Sequence, residues 1–128
     1  MFLRKSNRLE SMVGPHSEFK GDIASQGTSR IDGTFIGNIR ADWVILGERG
    51  SITGDINARC VVVGGIIKGN VRAEDLVEIK HTGKLLGDIY TKKLSVAEGG
   101  VFEGHSHIQK DETTNIIDFP NKETASTT

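Results

Sequence analysis

The sequence predicts an all-β fold, a parallel β-helix of about six rungs set between two tails, and three observations predict it. A five-residue unit, apolar-x-Gly-x-apolar, recurs through most of the 128-residue chain at a mean spacing of about 17 residues. Between the units sit apolar doublets at i and i+2, rich in β-branched residues, which is the alternation of a strand with one buried side. All 16 glycines lie between Gly14 and Gly104, and both prolines, Pro15 and Pro120, lie outside residues 20–108.

Taken in order, residues 1–16 are expected to form a disordered N-terminal tail, polar and basic, opening Met1-Phe2-Leu3 ahead of Arg4, Lys5 and Arg8. Residues 17–108 carry the repeat. Its units are Phe19-Lys-Gly-Asp-Ile23, Phe35-Ile-Gly-Asn-Ile39, Ile52-Thr-Gly-Asp-Ile56, Ile67-Lys-Gly-Asn-Val71 and Leu85-Leu-Gly-Asp-Ile89, with a degraded Phe102-Glu-Gly-His-Ser106. The doublets are Val44/Leu46, Val61/Val63, Val77/Ile79 and Leu94/Val96, begun by a weaker Ser29/Ile31. Residues 109–128 are expected to be a disordered tail, acidic and Thr-rich, with one apolar island at Ile116-Ile117-Asp118-Phe119.

A period near 17 is too short for a βαβ unit or a propeller blade, but it fits a coil of short strands in which each pairs with its equivalent one turn later. Six rungs at the ~4.8 Å strand spacing make a rod about 30 Å long. Stacked like residues fill so narrow a core without aromatics, which make up only 5% of the chain. The residue after each unit glycine forms an outward column, Asp22, Asn38, Asp55, Asn70, Asp88 and His105, in which carboxylate and amide alternate. Adjacent carboxylates at that spacing would repel by roughly 1 kcal/mol even in water. The column resembles a calcium ladder, but calcium β-rolls use glycine-rich nonapeptides, and no metal site is expected.

Function classes narrow by exclusion. There are 16 Lys+Arg against 17 Asp+Glu, so nothing points to nucleic acid as the main partner. The single cysteine, Cys60, excludes an internal disulfide and a multi-cysteine zinc site. No apolar run approaches 18 residues, and the N-terminus lacks the apolar stretch of a signal peptide, so a cytoplasmic location is expected. No phosphate loop, dinucleotide fingerprint, nucleophile elbow or zinc-protease motif occurs, and no cofactor or catalytic residue is expected. His105-x-His107 offers two imidazoles at strand spacing, and two ligands do not make a metal site. An acyltransferase would show hexapeptide steps, and a polysaccharide-cleaving β-helix would need many more rungs. What fits is a structural polymer, a rod whose ends stick. The alternative is a non-polymerising β-helical module whose flat face binds a carbohydrate or cell-wall polymer.

The stretch from Phe19 to Ser106 resembles the bactofilins, bacterial polymer-forming cytoskeletal proteins. The resemblance rests on the Gly-[Asp/Asn]-Ile/Val steps, as in Ile52-Thr-Gly-Asp-Ile56-Asn-Ala and Leu85-Leu-Gly-Asp-Ile89, on the doublets in Leu76-Val-Glu-Ile79 and Lys93-Leu-Ser-Val96, and on a short core between tails. It implies a right-handed parallel β-helix of roughly triangular section. It also implies nucleotide-independent assembly into non-polar filaments that scaffold cell-envelope, cell-wall or cell-shape proteins.

Three surfaces are expected to serve such assembly. The rod ends should present Phe19, Ile23 and Ile31 on one side and Val96, Val101, Phe102 and Ile108 on the other, with open strand edges that make the chain its own partner. Burying the doublets turns Trp43, Ile45, Cys60, Val62 and Leu76 outward as a lateral apolar patch. Another filament or an envelope partner covers that patch, or the Ile116–Phe119 island folds over it. Finally, Phe2 and Leu3 backed by Arg4 and Lys5 form a membrane tip, weak in one monomer but multiplied along a filament, which would hold the polymer at the inner face of the cell membrane.

Overall fold

The computed structural model describes residues 9–109, all of it strand and turn. The first strands are β1 Leu9–Val13, β2 Glu18–Lys20, β3 Ile23–Ala24, β4 Thr28–Ile31 and β5 Thr34–Ile36. Then come β6 Ile39–Arg40, β7 Trp43–Leu46, β8 Ser51–Thr53, β9 Ile56–Val63 and β10 Ile66–Lys68. The last are β11 Val71–Ile79, β12 Lys84–Leu86, β13 Ile89–Val96, β14 Val101–Glu103 and β15 Ser106–Ile108.

Every pairing is parallel, and the coil has three sides. The first is the six-stranded sheet β2-β5-β8-β10-β12-β14. The second takes β3, β6, the leading halves of β9, β11 and β13, and β15. The third takes β1, β4, β7 and the trailing halves of the same three long strands. The chain is thus a β-solenoid of about six turns.

The register places the repeat as the sequence orders it. Phe19, Phe35, Ile52, Ile67, Leu85 and Phe102 stack on the first side. Ile23, Ile39, Ile56, Val71 and Ile89 stack on the second, with Ser106 closing the column. On the third, Val13, Ile31, Leu46, Val63, Ile79 and Val96 form one column, beside Ser29, Val44, Val61, Val77 and Leu94. Away from the ends these side chains are completely buried, each contributing about 1.5–3 kcal/mol.

The expected boundary of the N-terminal tail is corrected here. β1 lies inside residues 1–16 and pairs with β4, adding a strand to the third side at the start of the coil. Its pattern is that of the first doublet: Ser11 lies over Ser29 and Val13 over Ile31.

Two devices turn the corners. The unit glycines Gly21, Gly37, Gly54, Gly69, Gly87 and Gly104 hold φ between 137° and 147°, a conformation almost confined to glycine. From Gly37 onward, a Cβ on any of them would collide with the carbonyl oxygen of the glycine one rung earlier. At the corner from the third side to the first, some rungs insert a hydrogen-bonded turn, such as Gly47 to Gly50 and Lys80 to Gly83, while Gly64-Gly65 makes the same corner without one. The uneven repeat, 15 to 18 residues, comes partly from this choice.

The outward column after the glycines bonds from rung to rung. Side-chain oxygens of Asp22, Asn38, Asp55, Asn70 and Asp88 each accept the backbone N–H of the next member, at 3.1 to 3.3 Å. Asp and Asn are short enough to offer an oxygen at this place, and the corner amides would otherwise go unpaired within the protein.

Candidate assembly surfaces

The two ends are built by the strands that begin and finish the coil. Among the described residues β1, β2 and β3 pair on one edge only, as do β14, β15 and the trailing half of β13. Their free edges carry unpaired N–H and C=O groups beside apolar side chains, the arrangement that recruits another strand edge. At the N-terminal end Phe19 is 38% exposed and stacks on Phe35 with ring centroids 5.2 Å apart, while Ile23 beside it is half-buried. At the C-terminal end Val96 is 45% and Ile108 41% exposed, and Val101 and Phe102 are half-buried.

Ile31 is not among them. It is fully buried because β1 covers it, so the third side ends at Val13, and Ile31 belongs to the core rather than to the docking end. Sequence reasoning also passed over Met12, the most exposed large apolar side chain among the described residues, which points outward beside Arg30.

The lateral patch comes together on the third side. Trp43, Cys60 and Leu76 stack on successive rungs, and Ile45 and Val62 stack beside them. Trp43, Ile45, Val62 and Leu76 are half-buried. Cys60 departs from the expectation: it is 7% exposed, enclosed between Trp43 and Leu76. Burial pushes its thiol up from the ordinary range, against the pull of the Arg59 cation, so it packs as a small hydrophobe.

Elsewhere the side chains pair locally. Arg30 bonds Asp32 at 2.9 Å, and Arg59 lies 3.3 Å from Asp42 and 3.6 Å from Asp75. His105 lies 3.6 Å from Asp88, and His107 stacks on Tyr90 rather than turning toward His105. Among the described residues no group of three or more His, Cys, Asp or Glu could hold a metal ion. Among the described residues no helix is long and apolar enough to cross a membrane. Phe2, Leu3, Arg4 and Lys5 of the expected membrane tip, and the Ile116–Phe119 island, lie outside the described residues.

A family model described as bactofilin, polymer-forming cytoskeletal, matches residues 11–107. The chain belongs to the bactofilin family. The matched stretch runs from within β1 into β15, so the bactofilin domain and the solenoid are the same object. Two bactofilins of Myxococcus xanthus (strain DK1622) are similar to it. BacO is 28% identical over 80% of this chain and 82% of its own length. BacP is 24% identical over 77% of this chain, a match that spans 42% of BacP. Among solved structures, a cryo-EM reconstruction of Thermus thermophilus bactofilin double helical filaments superposes with a TM-score of 0.70 at 28% identity, covering 78% of this chain and 100% of that one. This bactofilin is therefore a polymer-forming cytoskeletal protein, a structural element rather than an enzyme.

Proposed function

We propose that this chain assembles end to end, without nucleotide, into non-polar filaments that lie on the inner face of the cell membrane and scaffold cell-envelope, cell-wall or cell-shape proteins. The observation that carries the reading is the pair of open, apolar ends. Each has free strand edges, with Phe19 38% exposed at one and Val96 45% and Ile108 41% exposed at the other. Joining two such ends buries aromatic and aliphatic surface and fills the edge hydrogen bonds in one step. The sequence carries no phosphate loop, and growth draws on this burial and edge pairing.

The polymer-forming family favours this reading over a solitary carbohydrate-binding module. Non-polarity rests on the likeness to other bactofilins: a two-fold joint sets identical surfaces face to face. The lateral patch of Trp43, Ile45, Val62 and Leu76 is suited to hold a second filament, as the double helical arrangement of the Thermus thermophilus protein suggests.

Negative-stain microscopy of purified protein in nucleotide-free, chelator-treated buffer should show filaments, and their absence there would overturn the reading. Membrane attachment is tested separately. Each of Phe2 and Leu3 inserts with a few kcal/mol at most, and each basic neighbour adds about 1 kcal/mol near anionic lipid. Polymer should therefore pellet with anionic vesicles, and polymer of the Phe2→Ala, Leu3→Ala variant should not. Equal pelleting of the two would remove the tip from the account.

A further inference from the structure

Away from the strands that open and close the coil, the exposed large apolar side chains among the described residues are Ile36 and Ile66. Both stand on the first side, a face that assembly through the ends does not use. Its register runs from β2 to β14 without a bulge, so outward side chains form two straight columns, one residue of each per rung. One column reads Lys20, Ile36, Thr53, Lys68, Leu86 and Glu103. The other reads Glu18, Thr34, Ser51, Ile66, Lys84 and Val101. Among the described residues Glu18, Lys20, Lys68, Lys84 and Glu103 have no ion-pair partner.

The first column is complementary to its own reverse. Matched from the outside in, Lys20 meets Glu103, Ile36 meets Leu86, and Thr53 meets Lys68. The second column matches Glu18 with Val101, Thr34 with Lys84 and Ser51 with Ile66. Lys84 then falls one rung, ~4.8 Å, from Glu18, and no like charges oppose each other. A two-fold axis along the strands produces this matching, because it sets each column against itself with the rungs reversed. A two-fold axis along the rod would set one column against the other at the same rung. That puts Lys68 on Ile66, Lys84 on Leu86 and Glu103 on Val101, charges against aliphatic surface.

We propose that the first side docks a second copy of this chain, face to face and with the rods antiparallel. The opposed charges of Lys20 and Glu103 fix the register at both margins of the contact, and the Ile36–Leu86 pairs supply its apolar part. Because the axis is two-fold, each of these pairs occurs twice.

The contact is small. Six rungs by three residues cover roughly 29 Å by 10 Å, or about 300 Å² on each copy, whereas stable interfaces bury ~1,200–2,000 Å² in total. One pair of rods therefore separates readily. In a filament of the kind proposed above the contact recurs along the polymer, and the weak pairs add. That gain rests on end-to-end assembly, whereas the pairing itself rests on the two columns. A non-polar filament contains rods of both directions, so antiparallel partners exist whichever way its neighbour runs. The patch of Trp43, Ile45, Val62 and Leu76 lies on the third side. The first side thus adds a second flank, and filaments joined at both flanks extend into sheets rather than stopping at pairs.

Cross-linking of two mixed full-length chains tests this. In a Cys60→Ser background, chain carrying Ile36→Cys is mixed with chain carrying Leu86→Cys and treated with a short bis-maleimide. The mixture should give at least fivefold more covalent dimer than either chain alone, since like positions in the pair lie three rungs, about 14 Å, apart. A mixture of Thr34→Cys and Ile36→Cys chains, which the parallel arrangement would join, should also give at least fivefold less. Lys20→Glu in both chains should lower the Ile36–Leu86 yield by a similar factor, and adding Glu103→Lys should restore it. Equal yields from single chains, preferential joining of Thr34 to Ile36, or indifference to both charge changes would each overturn the proposal. Filaments are scored in the same samples by microscopy. Where none form, end-to-end assembly has failed, and the same cross-linking at millimolar chain still reads the pairing of the first sides.

Discussion

Gly54 and Gly14 show how differently two glycines in one chain can matter. Gly54 sits at φ 140°, and a Cβ there would strike the Gly37 carbonyl, whereas the nearest atom to a Cβ on Gly14 is the Ser17 hydroxyl at an unstrained 3.7 Å. Gly54→Ala should therefore destabilise the rod by about 3 kcal/mol or more, combining a glycine-only conformation with displacement of the backbone beneath it. Gly14→Ala should change stability by less than about 1 kcal/mol. Thermal denaturation of the two variants checks the pair. This column was legible in the sequence because a covalent constraint repeats at every rung. The Asp/Asn column was legible as a pattern, but its cause was only half visible. Avoided repulsion explains why carboxylate and amide alternate, whereas the accepted backbone N–H groups explain why every member up to Asp88 has a short oxygen-bearing side chain.

Among the strands, the first-side triplets and third-side doublets announced themselves because their inward residues are uniformly large and apolar. β1 did not, and Ile31 was misplaced with it. In Leu9–Val13 the inward positions are Ser11 and Val13, a doublet with one polar member that a search for paired aliphatics passes over. The signal was present in its neighbour: Ser29/Ile31 has the same form, and the first two rungs differ from the rest together. A second feature, the run of β9, β11 and β13 around a corner without interruption, was hidden by Ala58 and Ala73, small residues that read as gaps. The missed strand has a measurable weight. Deleting residues 1–8 should leave thermal stability within about 1 kcal/mol of the full chain. Deleting residues 1–16 uncovers Ile31 and removes the buried Val13, and should lower stability by about 2–4 kcal/mol.

For the whole rod, if molecules join end to end as proposed, the ends decide what kind of polymer forms. In a non-polar filament the joints are of two kinds, N-terminal end to N-terminal end and C-terminal end to C-terminal end, and each two-fold joint contains the same side chain twice. Phe102→Arg removes two phenyl contributions of about 2–3 kcal/mol each from one kind of joint and sets two cations against each other. The other kind is untouched. Sedimentation of this variant should find discrete dimers, whereas head-to-tail growth would leave monomers and an unused C-terminal end would leave filaments. The same architecture makes each rung depend only on the rungs above and below it, so the first and last turns, supported on one side, are where the coil unwinds. Every joint turns two such loose turns into interior ones. A filament joined in that way would behave in that respect as a one-dimensional crystal: melting would start at its tips, and the more molecules lie between the tips, the smaller the share of the material that can melt. Crowding more copies together thus steadies the fold of each copy, and assembly and folding become a single equilibrium read at two lengths.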